Sequence, residues 1–247
     1  VVARFDLKET QVCLVTGGSR GFGGGIAQRL VESGSEVFIT GRNADVLNAT
    51  ANQVGAVPIV ADATSPEDWR RVVGQIMETR GRLDVLVNNA GAGVSIAPLA
   101  EQTPEEILES ISINLTSAIL GCRAVARIME SRRSGTIINV ASVCARVAWP
   151  GWSVYSAAKA GLVQFGKCLY AELRPSGVRV TTLIPSWGAT NFAHAAEGVE
   201  PHDAETLRQC IQPEELGDVV VSLCQLPRHL SVQDITIWPT VQNLPSL

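Results

Sequence analysis

Tyr155 and Lys159 stand four residues apart in a stretch that reads as helix, so a phenol and an ammonium share one face. A phenol is a poor acid near neutral pH, with an ordinary pKa of about 10. A cation within about 4–6 Å favours the phenolate and would make Tyr155 a usable proton donor and acceptor. Tyrosine and lysine also meet by chance on helix surfaces, so the pair takes its weight from two companions. One is Thr16-Gly17-Gly18-Ser19-Arg20-Gly21-Phe22-Gly23 near the start of the chain, and the other is Ser142, shortly before the tyrosine.

The glycine run follows an apolar stretch at 12–16 and precedes a helical one from about Ile26. Glycine there permits positive φ and lets the backbone approach a pyrophosphate closely. Free N–H groups at the helix start then favour its negative charge. Gly17, Ser19, Arg20, Gly21, Phe22 and Gly23 are the expected dinucleotide contacts.

Apolar runs alternate with helical ones along the chain, the pattern of repeated β-α units that could hold these groups in place. Strands are expected at 12–16, 36–40, 56–60, 83–88, 135–141, 178–184 and 234–238. Several, such as Val85-Leu86-Val87, lack polar alternation, as strands covered on both faces do. A helix from Pro66 places Trp69, Val72, Val73 and Ile76 on one stripe, with Gly81 as its stop. One continuous helix is expected at 104–131, with Ile107, Ile111, Leu115, Ala118, Cys122 and Val125 recurring every three or four residues. Another, at 152–174, carries Leu162, Phe165, Leu169 and Leu173 behind the Tyr155/Lys159 pair. The expected fold is α/β: a doubly wound Rossmann fold, its seven-stranded parallel sheet flanked by helices on both faces, in a single domain over 1–247.

Composition narrows the partners. Of 247 residues, 46% are hydrophobic and 18% charged, which excludes a disordered chain. A net charge of −4 gives no reason to expect nucleic acid or an anionic membrane, and no uncharged apolar run is long enough to span a bilayer. The six cysteines are scattered without a C-x-x-C and read as reduced thiols; the three histidines are too dispersed for a metal site. Residues 1–8 lack the apolar core of a secretory signal, so a cytoplasmic setting is expected.

The spacing T-G-x-x-x-G-x-G resembles the short-chain dehydrogenase/reductase family. Further marks occur in order: Asn88-Asn89-Ala90-Gly91, Asn114, Ser142, Tyr155-x-x-x-Lys159, then Pro185 and Thr190. The resemblance covers residues 5 to 240 and implies an oxidoreductase that interconverts a secondary alcohol and a ketone or aldehyde. It implies that Tyr155 exchanges the proton with the substrate oxygen, which Ser142 also binds. Lys159 would lower the tyrosine pKa and hold the nicotinamide ribose, and Asn114 would hold a water in a relay to Lys159. Asn88, Ala90, Gly91, Pro185 and Thr190 join the cofactor set, and Asp62 matches the family's adenine-contacting aspartate, though it could equally cap a helix. A dinucleotide sensor without turnover is the alternative; such a protein would be expected to have lost the tyrosine or the lysine.

An acid about 20 residues beyond the glycine run would favour NAD. Here Thr40-Gly41-Arg42-Asn43 has none, and Arg42 with Arg20 could clamp a 2′-phosphate, as in NADP-preferring members. NADP(H) is the expected cofactor; NAD stays possible if both arginines are simply solvated. The substrate walls should be 92–99, 143–154 and 186–212, contributing Val94, Ile96, Trp149, Trp152, Trp187, Phe192 and His194. That lining suits a carbonyl compound with a hydrophobic body. Residues 187–212 are expected to form a mobile lid. Ser186 replaces the glycine that commonly follows the proline, and the tail around 234–240 departs from the usual Val-Asp-Gly-Gly, which argues against an acyl-carrier-protein reductase. The long helices at 104–131 and 152–174 look too apolar to be covered by one sheet face, and the resemblance implies that they pair in a homotetramer.

Overall fold

The computed structural model describes residues 10–192, 199 and 202–242. Its strands are β1 (Val12–Thr16), β2 (Glu36–Gly41), β3 (Val57–Val60), β4 (Val85–Asn88), β5 (Gly135–Val140), β6 (Val178–Pro185) and β7 (Asp234–Ile237). All pair in parallel in one seven-stranded sheet, ordered β3-β2-β1-β4-β5-β6-β7. β1 and β4 are buried along their whole length, which explains their unbroken apolar sequences. Successive side chains alternate between faces, so Leu14 joins the core under one helical layer while Cys13 and Val15 join the other.

The helices are α1 (Gly21–Glu32), α2 (Ala44–Val54), α3 (Pro66–Arg80), α4 (Pro104–Ile111), α5 (Ser117–Ser131), α6 (Ser153–Leu173), α7 (Ala204–Gln209) and α8 (Pro213–Gln225). α3, α5 and α6 pack on one face through Trp69, Ile76, Val125, Met129 and Leu169; α1, α2 and α8 cover the other through Ile26, Leu30, Leu47, Leu216 and Val220. The doubly wound layering is as expected. α3 follows the sequence signals closely: Ser65 Oγ accepts from Asp68 N–H at 3.1 Å, Pro66 opens the helix, and Gly81 closes it at φ +66°. None of the six cysteines forms a disulfide.

Two expectations need correction. β4 begins at Val85, because Asp84 is tied up with β1: its Oδ2 accepts from Val12 N–H at 2.9 Å, and Arg82 and Arg132 pair with the carboxylate. The run 104–131 is no continuous α-helix. α4 and α5 are joined by one wide π-turn at Ser112–Thr116, which leaves Ile107, Ile111 and Leu115 half-buried and drives Asn114 inward to 1% exposure. By length and composition this run could cross a membrane, with a mean hydropathy of 1.2 over its most apolar window. Here Ala118, Cys122, Val125 and Met129 instead fill the core beside the sheet.

The chain order reverses between β1 and β4, which sit side by side. The loops leaving their C-terminal ends diverge to opposite faces and open a crevice there.

Candidate active site

A cleft of about 700 Å³ fills that crevice. At one end lies the turn between β1 and α1. Gly17 adopts φ +63°, and a Cβ on Gly23 would fall 2.1 Å from the Gly17 carbonyl, so the turn closes only with glycine at both places. Asn89 Nδ2 donates to the carbonyls of Thr16 and Gly17 at 3.0 and 3.2 Å, while Thr16 Oγ1 accepts from the N–H groups of Asn89 and Ala90. These bonds staple the glycine turn to the loop after β4. No side chain caps α1 and its first turn holds no acid, so its N-terminal N–H groups stay available to an anion.

Arg20 and Arg42 both line this end and are exposed, with no acidic partner among the described residues. Gly17, Ser19, Gly21, Phe22, Ala90, Gly91, Pro185 and Thr190 line the same cleft, as does Asp62. Asp62 does not cap α3; its Oδ1 accepts from Thr64 N–H and Thr64 Oγ1, at 2.8 and 2.7 Å.

β5 delivers Ser142 just beyond its end and α6 delivers Tyr155 and Lys159, all three against the cleft. Lys159 Nζ donates to the Val140 carbonyl at 3.1 Å and lies 5.7 Å from the centre of the Tyr155 ring. Ser142 Oγ accepts from Cys144 N–H at 3.2 Å. Asn114 Oδ1 accepts from Ala92 N–H, and its Nδ2 donates to the carbonyls of Ala92 and Ser110. It stands behind the cleft wall. A Cβ on Gly91 would fall 2.9 Å from Asn114 Oδ1 and 3.2 Å from Lys159 Nζ, so the glycine keeps a gap open between those two polar atoms.

The electrostatics correct one expectation. Burial, rather than the lysine, dominates the tyrosine: it raises the Tyr155 pKa above its ordinary value, Cys144 pushes the same way, and a hydrogen bond with Ser142 offsets part of the rise. Burial also pulls Lys159 down to about 8. The free protein therefore presents a protonated phenol beside a lysine that gives up its charge in mildly alkaline solution.

Three expected contacts are placed elsewhere. Asn88 points into the core, where Nδ2 donates to Asn139 Oδ1 at 2.9 Å, because it is the last residue of β4 and faces away from the crevice. Gly23 shapes the glycine turn from behind. Val94 turns at φ +34°, and Ala92 and Gly93 line the wall instead. Trp149, Trp152, Trp187 and Phe192 do line the substrate end, where the Trp152 and Phe192 rings stack 6.3 Å apart and both edge onto Tyr155. Ile96 packs beside them against Cys144 and Tyr155. His194 and the centre of the expected lid fall outside the described residues. The base of that segment is pinned, since Ala189 N–H donates to Ile211 O and Ile211 N–H to Trp187 O.

Cys144, Ser186 and His202 line the cleft within the expected walls 143–154 and 186–212, though not singled out as contacts, whereas Asn43, Ile113 and Gln242 lie outside every expected wall. Cys144 had a legible signal, two residues beyond Ser142. Gln242 had none, because it reaches the site only through the fold.

The short chain dehydrogenase family matches residues 11–199. The NADP-dependent 3-hydroxy acid dehydrogenase of Salmonella typhi is 30% identical over 253 residues, covering 96% of this chain and 98% of its own. A 3-oxoacyl-[acyl-carrier-protein] reductase of Synechocystis is 34% identical over 88% of this chain and 90% of its own. Among solved structures, the closed form of a serine dehydrogenase complexed with NADP+ superposes with a TM-score of 0.89 at 28% identity, covering 96% of this chain and 98% of that one.

Proposed function

The chain belongs to the short-chain dehydrogenase/reductase family, and from that premise we propose that it is an NADP(H)-dependent oxidoreductase interconverting a hydrophobic secondary alcohol and its ketone or aldehyde. The observation that carries this reading is the convergence of Ser142, Tyr155 and Lys159 on a cleft whose far end is an uncapped helix N-terminus flanked by two arginines without an acidic partner among the described residues. The relatives' printed substrates are a hydroxy acid, an acyl carrier and serine, so they support the reaction class more than any one substrate.

The residues fit a dinucleotide phosphate. The glycine turn and the start of α1 would take the pyrophosphate, Arg20 and Arg42 the 2′-phosphate, and Asp62 the adenine. Lys159 would hold the nicotinamide ribose from the floor of the cleft. When bound, NADP(H) supplies or accepts the hydride. Tyr155 Oη gives its proton to the substrate oxygen in the reducing direction, and Ser142 Oγ holds that oxygen in place. The charge on Lys159 stabilises the phenolate left behind, and Trp149, Trp152 and Phe192 keep water from the reacting carbon. NADPH consumption measured against a panel of aryl and alkyl ketones, aldehydes and small hydroxy or oxo acids tests this. Turnover of the hydrophobic carbonyls is expected; turnover confined to the small acids would refute the substrate class.

The lowered Lys159 pKa sets the pH dependence. A lysine depressed to about 8 is charged below that pH and neutral above it. Tyr155, shifted upward, stays a protonated donor across the same range. Reduction kcat/KM should therefore be level at neutral pH and fall as pH rises through about 8. Lys159→Ala should lower both rate and cofactor affinity and abolish that limb. A limb beginning only near the ordinary lysine value of about 10.4 would contradict the assignment.

A homotetramer fits the surface. Leu108 on α4 is 69% exposed and Leu99 just before it 59%, beside an already apolar run that a second subunit could cover. Light scattering at micromolar concentration should show the tetramer, and a monomer would reject it.

A further inference from the structure

We propose that Gln242 is a specificity-determining residue whose side-chain amide donates to a second, neutral oxygen on the substrate, and that Ser186 positions it. This rests on the carbonyl-reducing reading of the cleft.

Gln242 lies beyond β7, in a turn closed by its own N–H donating to the Pro239 carbonyl at 3.1 Å. The turn returns the chain toward the tip of β6, where Gln242 is 8% exposed and lines the same cleft as Tyr155 and Ser142. Ser186 Oγ donates to Gln242 Oε1, and the Ser186 N–H is itself bound to Ile237 O at 2.9 Å. The carbonyl half of the amide is thus occupied. Its Nε2 has no acceptor among the described residues, and a half-satisfied amide at a cleft wall is a donor awaiting an acceptor.

Strand geometry sets the scale. Ser142 follows β5, Ser186 follows β6, and Gln242 hangs from β7, the next strand over. Neighbouring strands lie about 4.8 Å apart, so β5 and β7, two spacings apart, set the two anchoring groups on the order of 10 Å from each other. Two hydrogen bonds of about 2.9 Å, each reaching toward the other across that gap, then leave about 4 Å between the substrate oxygens. That suits an oxo group with an ester or amide carbonyl one or two carbons away.

Charge argues for a neutral acceptor. The fixed cations lining the described cleft are Arg20 and Arg42 at the glycine turn and Lys159 on the floor; the histidine of the described lining, His202, lies against the Trp187 ring. No lysine or arginine occurs from Ser186 to Leu207, a stretch that carries Asp203 and Glu205. A carboxylate brought among Trp149, Trp152 and Phe192 would lose its hydration with no arginine beside it and with Lys159 already bound to the Val140 carbonyl, whereas an ester or amide carbonyl needs only one donor.

The test compares three substrates of one carbon skeleton with the intact enzyme: a plain aryl ketone, its 3-oxo ester and its 3-oxo acid. The wild type should favour the ester over both others in kcat/KM. In Gln242→Leu and in Gln242→Glu, which keeps the acceptor for Ser186 but loses the N–H donor, the ester-to-ketone ratio should fall about tenfold, chiefly through KM. Ser186→Gly should move the ratio in the same direction by less. A wild type that reduces the ketone without favouring the ester, or that favours the acid, overturns the proposal and leaves the carbonyl reductase reading standing. Equal losses on ester and ketone in the variants would make Gln242 structural and also overturn it. A wild type that reduces none of the three removes the underlying reading, and the proposal falls with it.

Discussion

Replacing Tyr155 with phenylalanine should lower turnover by about 10²–10⁴-fold while leaving NADPH affinity within a few-fold. The substitution removes one hydroxyl and keeps the ring that packs against Trp152 and Phe192, so the wall of the cleft is retained. What disappears is the proton donor. Tyr155 is 7% exposed and its pKa is raised by burial, so the neutral phenol is the form present when a carbonyl enters. Without it the oxygen's developing charge meets only Ser142, at a cost of about 3–5 kcal/mol in the barrier. Steady-state kinetics paired with a cofactor-binding titration separates the two effects. Full turnover in the variant would remove Tyr155 from the mechanism; lost cofactor affinity would mean that the ring, and not the proton, had been tested.

Cofactor choice should respond almost as strongly to Arg42. The wild type is expected to bind NADPH on the order of 10–100-fold more tightly than NADH at low salt, because Arg20 and Arg42 line the cleft and form no ion pair among the described residues. Both are exposed, so the preference should shrink as salt rises. Arg42→Asp should reverse the ranking, since a carboxylate beside Gly41 and Asn43 would repel the 2′-phosphate and accept from a ribose hydroxyl. Paired titrations with NADPH and NADH at two salt concentrations measure this. Equal affinities for the wild type at low salt would defeat the arginine clamp and leave Ser142, Tyr155 and Lys159 untouched.

Much of this architecture is written locally in the chain. β1 and β4 were legible because strands covered on both faces need unbroken apolar runs, and α3 because Ser65, Pro66 and Gly81 mark its ends chemically. The π-turn at Ser112–Thr116 was not, because the apolar residues on either side keep a three-or-four spacing that a continuous helix would also show. Asn88 and Asn89 are adjacent in one motif, yet the strand's end sends the first into the core and the second to the glycine turn. Spacing placed Tyr155 and Lys159 on one face but carried no information about burial, which decides both pKa values. The bond from Ser186 to Gln242 joins positions 56 residues apart through the β6–β7 pairing, beyond any local pattern.

In the proposed reaction this cleft carries a hydride from NADPH to a hydrophobic carbonyl, with Tyr155 supplying the proton. The most direct test incubates the wild type with an aryl ketone and NADPH deuterated at the transferable position of the nicotinamide, followed by mass spectrometry of the alcohol. An alcohol bearing a single deuterium on its carbinol carbon is expected, formed by the wild type and nearly absent with Tyr155→Phe. NADPH that binds without any labelled alcohol appearing, across the carbonyl panel, would contradict the proposed reaction and leave a nucleotide-binding protein without turnover.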